Sequence, residues 1–334
     1  MKKSVKILAI AICLALMSGQ VSAAPILIKW GDATPKSFSY WPATVAFKDE
    51  VEKKTNKKVE FQLFGDGVLG DQKALIESTT MGAIQMVSLS TSVLNTLAPE
   101  YQAFALPFIW PSADYLSRFL DSEGGIYLSK LLEKRGLKVI AWGYVGYLGI
   151  QNSKREVKNP EDLKGLKIRV QQNPLMVDTI NAMGGMGVAM GSGELYSALQ
   201  QGVIDGISTT PQMLHSMKIY EVAKFYTPVR MHSSAGTLLA NLKFWESLSP
   251  DIQKACVESS KTWRKVFEDY YLDPSQETSD QNILNVYKKT GVKITEPDTE
   301  AFKRVTVPVV RKYSEKIGPE FVDKVLKFTG YSMK

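Results

Sequence analysis

Cysteine is almost missing from this chain: two residues in 334, Cys13 and Cys256. Cys13 falls in an N-terminal apolar run, so the rest of the chain holds one thiol and no intrachain disulfide can form. Cys256 keeps helical spacing with Ile252, Ala255 and Ser259, the setting of a buried structural thiol rather than a reactive one. Histidine is as scarce, with only His215 and His232, and neither has a cysteine or carboxylate at metal-ligand spacing. No metal or cofactor is expected. There is no G-x-S-x-G elbow and no evident Ser/His/Asp set. Lysine and arginine are spread along the chain, without the clustered bases and interleaved aromatics that nucleic-acid binding needs. Past the first residues, no apolar run is long enough to cross a membrane. Internal repeats, low-complexity tracts and Pro/Ser-rich linkers are lacking as well.

What is present begins with a leader. Lys2, Lys3 and Lys6 precede an apolar run from Ile7 to Met17, and Val21-Ser22-Ala23 follows. A basic start, a short apolar core and small residues at −3 and −1 predict a secretory signal peptide cleaved after Ala23. Ile12 before Cys13 is too large for a lipoprotein site. Removing the three leader lysines lowers the net charge from +7 to about +4, a modest excess that suits attraction of anionic solutes. The exported remainder is long enough for two cores.

Strand-like and helix-like segments then alternate. Strands are predicted at 26–32, 59–64, 85–89 and 137–141, with helices after Pro42, over 72–80 and as a pair between Ser112 and Gly136. This alternation argues for α/β units around a mostly parallel sheet. Without a linker, two domains built this way require the chain to cross between them more than once. Ser249-Pro250-Asp251 starts a helix whose apolar spacing runs past Pro274 to Tyr287, so one long helical region is expected, kinked or broken at the proline. A strand at 292–294 and helices near 298–316 and 319–328 complete the chain.

The most informative stretch is residues 162–206. Leu166, Ile168 and Val170 alternate as a strand, Arg169 points the other way near its end, and Asn173-Pro174 caps and opens a helix. A guanidinium at the mouth of an α/β crevice can anchor a carboxylate through two parallel hydrogen bonds; a surface ion pair is the alternative. The stretch reads DLKGLKIR at 162–169, then Glu194, Tyr196, Ala198 to Gln200, Gly202, Asp205 and Gly206. With FALPF at 104–108, LGD at 69–71 and YEVAKFYT at 220–227, it resembles the DctP-like periplasmic solute-binding proteins of TRAP transporters. The likeness runs in order over nearly the whole mature chain.

The resemblance implies a two-lobed, Venus-flytrap α/β fold, with a long kinked helix crossing both lobes. The expected division is 24–146 plus 236–275 for one lobe and 147–235 plus 276–334 for the other. It implies a periplasmic location, capture of a small organic acid without chemistry, and delivery to small and large membrane permease subunits. Arg169 stands at the family's carboxylate arginine. Gln72 follows LGD where relatives carry a polar contact, with Lys73 beside it. Ser90 stands where sialate-binding relatives carry Glu, and Thr210 where many carry Asn before Pro. Gly149 stands where many carry a second arginine, a departure that lowers the expected affinity for a dianion or for a strongly hydroxylated sugar acid unless Lys73 replaces the charge.

Two further readings complete the expectations. Gly65-Asp66-Gly67-Val68-Leu69-Gly70 is a formal G-x-G-x-x-G between a strand and a helix, but the acid a dinucleotide ribose needs is absent where Ser88, Leu89 and Ser90 stand. An exported NAD-dependent oxidoreductase is therefore disfavoured. Aromatics follow two strand ends: Phe38, Tyr40 and Trp41 early, then Trp142, Tyr144 and Tyr147. The latter three are candidates to stack on a ligand, which favours a monocarboxylate with a less polar tail over a C4-dicarboxylate or sugar acid. A sensor subunit feeding a receptor would carry the same sequence features as a transport subunit.

Overall fold

Capping chemistry starts several helices where the sequence places it. The computed structural model describes residues 24–333, and the expected leader lies outside them. Strand β1 (Ile26–Asp32) leads into α1 (Tyr40–Lys54), and β2 (Val59–Phe64) into α2 (Gln72–Met81), where Asp71 Oδ1 accepts the Ala74 N–H at 3.0 Å. Strand β3 (Met86–Ser90) is followed by two 3-10 turns (Thr91–Thr96 and Pro99–Ala105), then α3 (Ala113–Leu120) behind the Ser112 cap and α4 (Glu123–Glu133). The long β4 (Leu137–Asn152) comes next.

The second stretch repeats the pattern with shorter pieces: β5 (Lys167–Val170), α5 (Pro174–Ala182), β6 (Met186–Ala189), α6 (Leu195–Gln200), β7 (Gly206–Thr209) and α7 (Pro211–Ser216). Asn173 caps α5 with Pro174 in its first turn, as the sequence predicts. The return strand β8 (Phe225–Asn241) precedes α8 (Leu242–Ser247), α9 (Pro250–Leu272), α10 (Ile283–Lys289), β9 (Lys293–Ile294), α11 (Thr299–Ile317) and α12 (Pro319–Thr329).

One sheet holds both halves, in the order β2-β1-β3-β8-β4-β7-β5-β6, with β9 beside β8. Strands β1, β2 and β3 are mutually parallel, as are β5, β6 and β7. The antiparallel pair β4–β8, 16 and 17 residues long, joins the two groups. At about 3.3 Å per residue such strands reach roughly 50 Å, far enough to pass through both lobes. Residues 236–240 of β8 pair with β3, whereas residues 149–152 of β4 pair with β7. Between these ends the β4–β8 register slips between Tyr144 and Tyr147 and again between Leu148 and Ile150. Gly146 and Arg230 there take φ of 73° and 54°. Bulges bend a strand locally, so the β4–β8 ribbon is irregular at this waist.

Apolar packing crosses that division. A large cluster runs from β1, α1 and β3 through β4, α9 and the last helices and takes in Ile168 of β5 and Leu175 and Ile180 of α5, while a smaller one gathers Leu195, Leu199, Ile207, Leu214, Tyr226 and Tyr287. The long helical region is broken rather than bent. Asp273 before Pro274 is extended, the Asp280 N–H donates to Tyr271 O at 2.7 Å, and α10 starts afresh at Ile283. Helix α9 packs on α1 and β4, and the 273–282 segment carries the chain on to the second lobe, where Gln212 Nε2 donates to Asp280 Oδ1 at 2.8 Å. The C-terminal helices touch both lobes: Asp178 on α5 accepts from Lys312 at 2.7 Å, while Phe321 on α12 packs on Phe119 and Tyr127. Among the described residues no helix is long and apolar enough to cross a membrane.

Candidate functional site

The carboxyl ends of β1, β3, β5, β6 and β7 lead to the same place. Ligand crevices in open α/β sheets form at such ends, because the loops there are free to carry polar groups. From the first lobe come Thr34 after β1, Gln72 at the start of α2, Ser90 at the end of β3, and Phe38 and Tyr40. From the second come Arg169 and Gln171 of β5 and its exit, Ser192 after β6, Thr209 and Thr210 at the end of β7, and Met213. Val145 and Leu148 of β4 and Ser234 of β8 form the back. These residues enclose a cavity of about 40 Å³. Direct bonds also tie the lobes across it: Gln172 Nε2 donates to Asp71 Oδ2 at 3.1 Å, Asn173 Nδ2 to Ser92 O at 2.9 Å and Ser192 Oγ to Ala33 O at 3.3 Å. The lobes stand closed.

Arg169 dominates the electrostatics. The residue is 5 % exposed, and its Nε and Nη2 both donate to the single carbonyl of Met190, at 2.9 and 2.6 Å. Among the described residues no Asp or Glu forms an ion pair with it within 4.0 Å. Burial without a counter-ion pulls its pKa down to about 9. A guanidinium left this way carries a desolvation penalty that an arriving carboxylate offsets.

The opposite wall is neutral and rich in hydroxyls. Gln72 Oε1 accepts the Ser90 N–H at 2.9 Å, and Ser90 Oγ lies 3.1 Å from Ser234 Oγ and 3.2 Å from Ser92 Oγ. The buried Tyr40 hydroxyl on this wall, and Gln171 Oε1 beside Arg169, have no hydrogen-bond partner among the described residues. Behind Thr34, Asp32 is 2 % exposed and burial raises its carboxyl to about 7. Such groups match hydroxyl or carbonyl oxygens on a ligand.

Of the residues singled out from sequence, Arg169, Gln72, Ser90 and Thr210 meet at this cavity, and Trp142, Tyr144, Tyr147 and Lys73 do not. Trp142 packs against Tyr101 in the first lobe, with ring centroids 6.1 Å apart. The Tyr144 hydroxyl donates to Asp280 at 2.9 Å, and the Tyr147 hydroxyl to Pro111 O at 3.1 Å. On a strand only alternate side chains share a face, and with the bulge it is Val145 and Leu148 that face the cavity. Lys73 is exposed on α2, one step of the helical turn away from Gln72. At Gly149, a Cβ would stand 2.7 Å from the Tyr226 ring, so that phenol fills the space a larger residue would need.

Thr34, Gln171, Ser192 and Ser234 were missed. Thr34 lies two residues and Gln171 one residue past strand ends that were legible, Asp32 and Val170; Ser234 left no signal because β8 does not alternate. The G-x-G-x-x-G glycines serve a turn: Asp66, Gly67 and Gly70 have φ of 55°, 70° and 104°, and a Cβ on Gly65 would meet the Trp41 ring at 2.7 Å. His232 is buried and its pKa falls to about 3, so it stays neutral; the buried Cys256 thiol rises to about 12.

Comparison with known proteins agrees with this geometry. The profile of the bacterial extracellular solute-binding proteins, family 7, matches residues 31–316. The C4-dicarboxylate-binding periplasmic protein DctP of Rhodobacter capsulatus is 28% identical over 327 residues, 95% of each chain. A TRAP periplasmic solute-binding protein from Chromohalobacter salexigens, solved with bound D-glucuronate, is 30% identical with a TM-score of 0.85, over 91% of this chain and 99% of that one. Another from a Sulfitobacter species, solved with bound β-D-galacturonate, is 28% identical with a TM-score of 0.85, over 91% and 100%.

Proposed function

The chain belongs to the bacterial extracellular solute-binding proteins of family 7, a family of binding proteins rather than enzymes, and from that premise we propose that it captures a hydroxylated monocarboxylate for a TRAP-type permease. The observation that carries this reading is Arg169, a buried cation with one carbonyl for company. A single cation favours a monoanion over a C4-dicarboxylate, since Lys73 lies outside the cavity and Tyr226 occupies the space beside Gly149. The rest of the lining supports a more polar tail than the one expected from the sequence. That expectation rested on Trp142, Tyr144 and Tyr147, and the walls instead present Thr34, Tyr40, Gln72, Ser90, Gln171 and Thr210. Sugar acids fit such walls, and the two solved relatives hold uronates.

Capture is a shift of population between open and closed lobes. Arg169 and Gln171 stand on one lobe, Gln72 and Ser90 on the other, so a ligand touches both sets only when the cleft is shut. The closed form is what small and large membrane permease subunits read. The family's periplasmic site of action fits export by the leader, cleaved after Ala23. A thermal-shift screen of D-glucuronate, D-galacturonate, aldonates, small 2-hydroxy acids and succinate tests the reading. A hydroxylated monocarboxylate raises the unfolding temperature, succinate does so less, and Arg169→Ala abolishes the shift. A ligand held equally well by Arg169→Ala overturns it.

A further inference from the structure

Asp32 ends β1, its backbone paired with Ser88 of β3, and its side chain is sealed behind the cavity wall. Oδ1 accepts both the N–H and the hydroxyl of Thr34, each at 2.8 Å, and Oδ2 has no partner among the described residues. Thr34 lines the cavity, and so does Tyr40, whose hydroxyl is also unpartnered and sits where a Cβ on Gly236 would be 2.8 Å away. Two ionisable groups face the carboxyl: Tyr40 from α1, and Asp66 from the turn after β2, itself paired with Lys36 at 3.2 Å. From β3 the neighbour is Ser88, and no cation from β3 or β8 acts on it. Arg169 stands on the facing wall, bonded to Met190 O rather than to Asp32.

A carboxylate here would be a buried anion with one oxygen unpaired, behind the wall on which an anionic ligand must settle. Nothing nearby neutralises it. We propose that Asp32 is a positioning residue that must carry its proton for an organic acid to bind, holding Thr34 on the cavity wall and linking capture to proton uptake. When the ligand enters a molecule whose Asp32 is ionised, one proton is taken from solvent onto Oδ2, and the ligand remains a carboxylate paired with Arg169. The inference rests on the binding reading above, but its failure is separable from failure of that reading.

The pH range follows from the carboxyl's position near 7, raised by burial. Below it the acid is neutral in free and bound protein alike, and affinity is flat. Above it the free protein ionises, and affinity falls by at most tenfold per pH unit, which makes about tenfold in all between pH 6 and pH 8. Titration calorimetry with D-glucuronate, whose own carboxyl is ionised throughout this range, reads the slope, and buffers of differing ionisation enthalpy count the proton. Wild-type protein shows the fall and proton uptake at pH 8; the isosteric, neutral Asp32→Asn shows neither. An unchanged slope in Asp32→Asn overturns the proposal. So does a flat wild-type profile with Arg169-dependent binding, which leaves the organic-acid reading intact. A second measurement needs no ligand: carboxyl carbon shifts assigned with Asp32→Asn place the Asp32 titration near 7 in the free protein, and a midpoint near 4 contradicts the proposal.

Discussion

The two walls of the cleft solve opposite electrostatic problems with the same device, a buried ionisable group without a counter-ion. At the end of β5, Arg169 keeps its charge because a guanidinium at a pKa of about 9 is still a cation at neutral pH. At the end of β1, Asp32 meets a similar loss of solvent, and its pKa of about 7 makes it neutral in acid and only partly ionised at neutral pH. Similar burial thus yields one wall with a fixed charge and one whose charge depends on pH near 7, because the two groups start from opposite ends of the pH scale. The resulting field favours one anion, seated on the second lobe with its neutral part toward the first.

The comparison breaks most sharply at Arg169. Replacement by Met should weaken binding of a hydroxylated monocarboxylate by about 100-fold or more, as loss of one partner of a buried charge pair does; calorimetry checks it. Next is the pH dependence of stability from Asp32. Its folded pKa lies above the unfolded value near 4, so the stability it contributes is complete below about 4 and is lost as pH rises toward about 7. Urea unfolding of Asp32→Asn should therefore compare more favourably with wild type at pH 8 than at pH 5, with a differential of no more than about 4 kcal/mol. Gln72→Ala removes a neutral contact and frees the Ser90 N–H, and should weaken binding about 3- to 10-fold. Smallest of all, Lys73→Ala and Trp142→Phe should change affinity less than about twofold, because neither residue reaches the cavity.

How much of this was legible depended on how locally each feature is encoded. Arg169 was readable because a period-two strand ended beside it and the Asn173-Pro174 cap fixed where the helix began. Helix starts at Gln72, Ala113 and Pro250 were equally local. The joining strands were not. Most of β4 after Ala141 and β8 from Met231 onward are buried on both faces, with Gly143, Gly146, Gly149 and Gly236 among them, so no alternation marks them. With their register unread, the facing of Tyr144 and Tyr147 could not be inferred, and the structure places both outside the cavity lining. Asp32 could be placed at a strand end, but its isolation depends on β3, α1 and β8 arriving from distant parts of the chain.

The central claim is that Arg169 stays unpaired until a ligand brings it a carboxylate. The most direct measurement is a cycle of two proteins and two ligands: wild type and Arg169→Met, each titrated with D-glucuronate and with its neutral amide. The wild type should prefer the acid by about 100-fold, and the variant should lose nearly all of that preference. If Arg169→Met still selects the acid over the amide as strongly as the wild type does, the anion is held elsewhere and the account is wrong.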